Sequence, residues 1–71
     1  MKKYKYFKVI ESTEIINGHK YYDVIANNGI YPLGRIEYYP KWRQYIFAPE
    51  DAAEFSASCL KDIIDFMENE I

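Results

Sequence analysis

Three kinds of residue in this chain are of types that catalyse or coordinate: a single histidine, a single cysteine and the acidic side chains. His19 stands beside an Asn-Gly turn, an exposed position where a general base has no evident partner to orient it. Cys59 falls in the first turn of a predicted helix, where the helix dipole favours a reactive thiolate. Nucleophilic catalysis also needs a base nearby, and none is evident, so Cys59 reads as a small apolar residue beneath a sheet. Asp62 and Asp65 are three residues apart and share a helix side, the spacing of an acid–base pair, though charges so placed more commonly solvate an outer face. One His and one Cys fall short of the four ligands of a structural zinc site. Gly18, Gly29 and Gly34 are isolated, so there is no glycine-rich phosphate loop. The sequence therefore predicts no catalytic residue, no metal and no cofactor.

What remains is recognition. The run from Leu33 to Phe47, LGRIEYYPKWRQYIF, holds two alternating apolar segments about a Pro-Lys break, with the lone tryptophan and three tyrosines. It reads as a β-hairpin with an aromatic outer face. Tyr, Trp and Arg are enriched at interface hot spots, so Tyr4, Tyr6, Tyr21, Arg35, Tyr39, Trp42 and Gln44 are the candidates for contact with a protein partner or with a second copy of the chain. Nucleic acid is the alternative partner: aromatic rings stack on unpaired bases, and Lys3, Lys5, Lys8, Arg35 and Lys41 would meet phosphates. The net charge of −2 weighs against it, because phosphate contacts dominate such affinity. The charge is uneven, however. Residues 1–45 carry eight Lys or Arg against four Asp or Glu, and residues 46–71 carry one against seven. A basic sheet half joined to an acidic helix half makes a dipole that can steer a partner.

These side chains must be positioned by a small α+β domain. Strand-forming runs cover about Lys3–Ile16, with a kink near Ser12-Thr13, then His19–Ala26, Tyr31–Tyr39 and Trp42–Phe47. Asn17-Gly18 suits a type I′ hairpin turn, Asn27-Asn28-Gly29 is a second turn, and Pro40-Lys41 a third. Pro32 must start its strand or lie on an edge. Ser56 caps a helix, with Phe55 stapled onto Leu60 and Leu60, Ile63, Ile64, Met67 and Ile71 forming the buried stripe. The expectation is a four-stranded antiparallel meander (residues 1–48) with one C-terminal helix (56–71) across one face. Two-residue turns at Asn17-Gly18 and Pro40-Lys41 would place Ile10 opposite Ile25, Val9 opposite Ala26 and Glu11 opposite Val24 in the first hairpin, and Ile36 opposite Tyr45, Tyr38 opposite Arg43 and Gly34 opposite Phe47 in the second. They would collect Phe7, Val9, Ile15, Tyr22, Val24, Ala26, Ile36, Tyr45 and Phe47 beneath the helix. Tyr4, Tyr6, Lys8, Ile10, Tyr21, Asp23, Ile25, Arg35, Glu37, Tyr39, Trp42, Gln44 and Ile46 then lie on the open face, which is too apolar for an indifferent solvent surface.

A chain of 71 residues is one domain. Domains this small are marginal, but here 49% of residues are apolar and 18% aromatic, which can replace the disulfides or metals that small domains often need. The lone cysteine favours a reducing compartment. The N-terminus MKKYKYFKVIE lacks the apolar run of a signal peptide, and no segment approaches the ~20 apolar residues of a membrane span. A cytoplasmic protein with no membrane partner and no small-molecule substrate is the expectation.

Leu33, Gly34 and Ile36, then Trp42, Arg43, Tyr45, Phe47 and Pro49, then Cys59, Leu60, Asp62, Ile63 and Phe66 form a pattern LG-x-I … WR-x-Y-x-F-x-P … CL-x-D-I-x-x-F. The pattern resembles a group of small bacterial and phage proteins with no established activity. It covers roughly the last two thirds of the chain. The resemblance implies a phage, prophage or mobile-element setting and a host or phage protein as partner. It implies no catalytic residue.

Overall fold

The architecture is α+β, an antiparallel meander with a C-terminal helix, and it has five strands where the sequence predicts four. The computed structural model describes residues 2–29 and 31–71. The elements are β1 (Lys2–Lys3), β2 (Phe7–Ile16), β3 (His19–Ala26), β4 (Pro32–Tyr39), β5 (Gln44–Pro49) and α1 (Ala57–Asn69). The strands pair in chain order, so β1 and β5 are the edges.

The extra strand arises because the chain does not run straight from Lys3 into Phe7. The Tyr4 N–H donates to the Phe7 carbonyl at 2.7 Å, and β1 folds back to set Lys2 against Val9 and Lys3 against Lys8. Nothing in Tyr4-Lys5-Tyr6 is a turn-forming type. The turn is held instead from across the sheet. The Asn27 Nδ2 donates to the carbonyls of Tyr4 (2.8 Å) and Lys5 (3.2 Å), and the Asn27 N–H donates to that of Tyr6 (3.1 Å).

Both predicted hairpins exist, and both depart from the expected register by two residues. Asn17 and Gly18 have φ of 54° and 78°, as a type I′ turn requires, and Ile16 faces His19. A bulge follows between Glu11 and Ile15, beyond which Val9 faces Val24 and Glu11 faces Tyr22. Ser12 pins the bulge: its hydroxyl accepts from the Tyr21 N–H at 3.0 Å and donates to the Glu14 carbonyl at 2.7 Å. In the second hairpin the connection is Pro40–Arg43, so Ile36 faces Phe47, Tyr38 faces Tyr45 and Gly34 faces Pro49. Pro40 cannot open a type I′ turn, because its ring fixes a negative φ. The positive φ falls on Arg43 instead, at 52°. Trp42 therefore lies in a loop and β5 begins at Gln44.

A shift of two residues preserves which side chains share a face. Phe7, Val9, Val24 and Ile36 are buried against Ile63 and Phe66 of the helix. Tyr4, Tyr22, Leu33, Tyr45, Phe47, Phe55 and Met67 pack around them, half-buried. Two expected core residues are missing from this cluster: Ala26, which is half-buried, and Ile15, which lies beyond the bulge and is 64% exposed.

Ser56 caps α1 as predicted, its Oγ accepting from the Cys59 N–H at 3.2 Å. The helix is rotated relative to the expected stripe, however. Phe55 meets Phe47 edge-on at 5.3 Å rather than stapling Leu60, and Leu60 and Ile64 are exposed. Phe66 takes their place because its large ring reaches both the core and Tyr22, at 5.3 Å.

Gly34 is where β4 tolerates no side chain. A Cβ there would stand 2.6 Å from Phe47 Cζ and 2.7 Å from the Ala48 carbonyl oxygen. The Phe47 ring covers the bare backbone diagonally from β5. Gly34→Ala should cost about 1–3 kcal/mol through overpacking, seen as a lower urea midpoint with an unchanged slope.

Candidate functional site

With α1 on one side, the opposite face of the sheet has no element over it. Alternation places Ile10 of β2, Tyr21, Asp23 and Ile25 of β3, Arg35, Glu37 and Tyr39 of β4, and Gln44 and Ile46 of β5 there. Arg35 organises the middle. Asp23 is its cross-strand partner, and the Arg35 Nε donates to Asp23 Oδ1 at 3.1 Å. The guanidinium carbon lies 4.1 Å from the centre of the Tyr21 ring, a cation–π contact. Partial burial acts to lower the guanidinium pKa, but the hydrogen bond and charge of Asp23 outweigh it and hold the group above its ordinary value. Ile25 and Ile46 flank this triad half-buried, and Ile10 is exposed. At the loop end, Trp42 packs edge-on to Tyr39 at 4.9 Å.

Of the seven residues predicted for partner contact, Tyr21, Arg35, Tyr39 and Gln44 share this face and Trp42 stands at its rim. Tyr4 and Tyr6 do not join them, because the β1–β2 turn breaks the alternation that would have put them there. Tyr4 lies on the helix side. Its ring is 5.1 Å from Phe7 and its hydroxyl donates to Asp65 Oδ2 at 2.8 Å. Burial, then the hydrogen bond and charge of Asp65, push its phenol well above the ordinary range. Tyr6 is in the turn, beneath the Lys5 ammonium at 5.2 Å, and lines a separate groove with Ser56 and Cys59. Sequence reasoning missed the Asp23–Arg35 pairing, which becomes visible once the β3–β4 register is written out.

The predicted phosphate contacts do not converge. Lys3 and Lys8 are cross-strand partners at one edge, Lys5 is in the turn, Lys41 is in the β4–β5 loop, and Arg35 is matched by Asp23. Lys2 and Lys20 are paired with acids, at 3.6 Å to Glu70 and 2.7 Å to Glu11. The Lys20 hydrogen bond and charge hold Glu11 below its ordinary value, and Glu11 raises Lys20 in return.

The residues of catalytic type are dispersed. His19 is half-buried rather than free in solvent: its ring stacks on Tyr38 at 3.8 Å, where β3 has separated from β4. Tyr45 fills the rest of that gap, and its hydroxyl donates to the Lys20 carbonyl at 3.2 Å. Asp65 is structural rather than solvating, since it accepts from Tyr4 and, at 2.9 Å, from Asn69 Nδ2. Cys59 is half-buried at the helix start. Among the described residues, no three His, Cys, Asp or Glu side chains gather as a metal set, and no helix is long and apolar enough to cross a membrane. No protein-family model, curated protein or solved structure matches the chain.

Two outcomes follow for these side chains. Tyr4→Phe keeps the ring and loses the Asp65 bond, so it should lower stability by about 1 kcal/mol. With its ionisation suppressed by the fold, Tyr4 contributes fully below the ordinary phenol pKa of about 10 and progressively less as pH rises above it. Tyr4→Phe should therefore flatten the alkaline fall of the thermal midpoint. Trp42 is 63% exposed, so Trp42→Ala should leave the domain folded, with a loss of about 1 kcal/mol or less from the Tyr39 contact, measured by urea titration.

Proposed function

We propose that the chain is a non-catalytic protein-binding module that engages its partner through the open face of the sheet. One observation carries this reading. The face presents an Arg–Tyr pair already locked in place by Asp23, ringed by isoleucines and bordered by the Tyr39–Trp42 pair. Such a cluster is pre-arranged, so little side-chain entropy is lost on contact, and its residue types are those of interface hot spots. The charge of the face also supports a protein rather than a polyanion. Lys3, Lys8 and Arg35 stand against Asp23 and Glu37, three positive charges against two negative, and the other predicted phosphate contacts, Lys5 and Lys41, lie in connecting turns. The resemblance of the LG-x-I, WR-x-Y-x-F-x-P and CL-x-D-I-x-x-F segments to small bacterial and phage proteins extends the proposal to a host or phage protein as the partner.

The test is capture of binding proteins on the tagged chain from bacterial lysate, with and without nuclease. The expected result is a specific protein that survives nuclease and is lost from Arg35→Ala and Tyr39→Ala variants of unchanged thermal midpoint. Capture that depends on nuclease-sensitive material would move the reading to nucleic acid. Capture indifferent to both substitutions would remove the sheet face from consideration.

A further inference from the structure

Helix α1 carries a second apolar stripe that its own sheet covers only at Met67. Ile63 and Phe66 are buried, while Leu60, Ile64 and Ile71 are 44%, 51% and 43% exposed, with Met67 half-buried among them. Leu60, Ile64 and Met67 follow the four- and three-residue steps of a helix-pairing seam, and Ile71 stands two residues past the end of α1. At about 100° per residue, Leu60 and Ile64 fall within an arc of about 40°. That arc is about 100–140° round the helix from Asp65, which the Tyr4 hydroxyl holds toward β1. The seam thus occupies the flank of α1 turned away from β1.

The charges beside the seam select what covers it. Asp65 is engaged by Tyr4 and Asn69, and Glu70 faces Lys2. Lys61 and Glu68 are both exposed, and neither makes an ion pair among the described residues. They have opposite sign and stand one heptad apart on the same side of the seam. In an antiparallel pair of two copies, Ile64 meets Met67 of the second copy and Leu60 meets the end of its helix, which Ile71 follows. Lys61 of each copy then falls beside Glu68 of the other. A parallel pair would set Lys61 and Glu68 against positions 56 and 63, a serine and an isoleucine, and match no charge.

We propose that the chain associates with a second copy through this flank of α1, as an antiparallel two-fold helix pair closed by two reciprocal Lys61–Glu68 bridges. The open sheet face takes no part, so the proposal stands independently of what that face binds. A seam of three helical side chains per copy falls below a standard interface, so the dimer belongs to the weak, concentration-dependent class.

Sedimentation equilibrium of the full chain at low salt, from about 10 μM to about 1 mM, tests it. The expected result is a mass rising from monomer toward dimer. Ile64→Lys should stay monomeric throughout with an unchanged thermal midpoint. Lys61→Glu and Glu68→Lys should each weaken association about tenfold, and the double variant should recover it. A wild-type chain that remains monomeric at the highest concentration would overturn the proposal. So would a dimer that survives Ile64→Lys, a double variant no tighter than the singles, or a dimer broken by Arg35→Ala or Tyr39→Ala.

Discussion

One helix must close the core of a five-stranded sheet, and the rest of the molecule is arranged around that shortage of cover. Thirteen residues of α1 span about 20 Å, comparable to the width of five strands at about 4.8 Å spacing. A helix of that size buries only what lies directly beneath it. Hence, among the described residues, six hydrophobic side chains are buried, four from the sheet and two from the helix. The margins are sealed by rings that pack on one side and stay wet on the other. Tyr4 seals the β1 margin and hydrogen-bonds up to the helix through Asp65. Tyr45 seals the opposite lower corner and satisfies the Lys20 carbonyl that β4 leaves unpaired. An aliphatic side chain at either place would meet the core but leave a polar group without its partner, which explains why so much of the apolar content is tyrosine.

The same constraint accounts for how the strands are paired. The bulge at Ser12–Glu14 and the four-residue loop at Pro40–Arg43 each move the register by two. A shift of one would turn Phe7 and Val9, or Tyr45 and Phe47, away from α1 and leave the core empty on that strand. Burial fixes the parity, and local hydrogen bonding then decides between registers of equal parity. Face membership was therefore legible in the sequence for Phe7, Val9, Val24, Ile36, Tyr45 and Phe47, whereas their cross-strand partners were not. The serine hydroxyl that stabilises the bulge and the ring constraint at Pro40 act at single residues, below the resolution of a hydrophobic pattern. The reversal at Tyr4–Phe7 was hidden more deeply, because Asn27, more than twenty residues away in sequence, supplies hydrogen bonds that hold it. It is this reversal that removes Tyr4 and Tyr6 from the face that alternation assigned them, while Tyr21, Arg35, Tyr39 and Gln44 stayed where alternation put them.

The helix was legible in position and cap but not in rotation, and the reason bears on function. Residues 57–69 hold two overlapping apolar stripes, one through Ile63 and Phe66 and one through Leu60, Ile64 and Met67. Periodicity merges them into a single broad face. The flat sheet accepts the first, because Phe66 reaches Tyr22 and Ile63 enters the core between the strands, and of the second it covers only Met67. The rest of the second is left on the flank. Its exposure is not compensated among the described residues: β1 and Tyr4 lie on the other flank, and the adjacent Lys61 and Glu68 make no ion pair there.

The two proposed surfaces are geometrically compatible because they lie on different layers. The open sheet face looks away from α1, and the seam lies on the helix layer. A two-fold helix pair would therefore bury neither the Arg35–Tyr21–Asp23 cluster nor the Tyr39–Trp42 pair, and it would present two copies of that face outward. For a weak module this matters. Two linked sites convert the second contact with a repetitive or dimeric partner into an intramolecular event, and the gain in avidity reaches about 10²–10⁴ without any new contact. A monomer with a face this small would be confined to weak encounters. Dimerisation through the otherwise largely uncovered stripe of α1 would couple occupancy of the sheet face to protein concentration, so that partner binding would steepen as the chain accumulates.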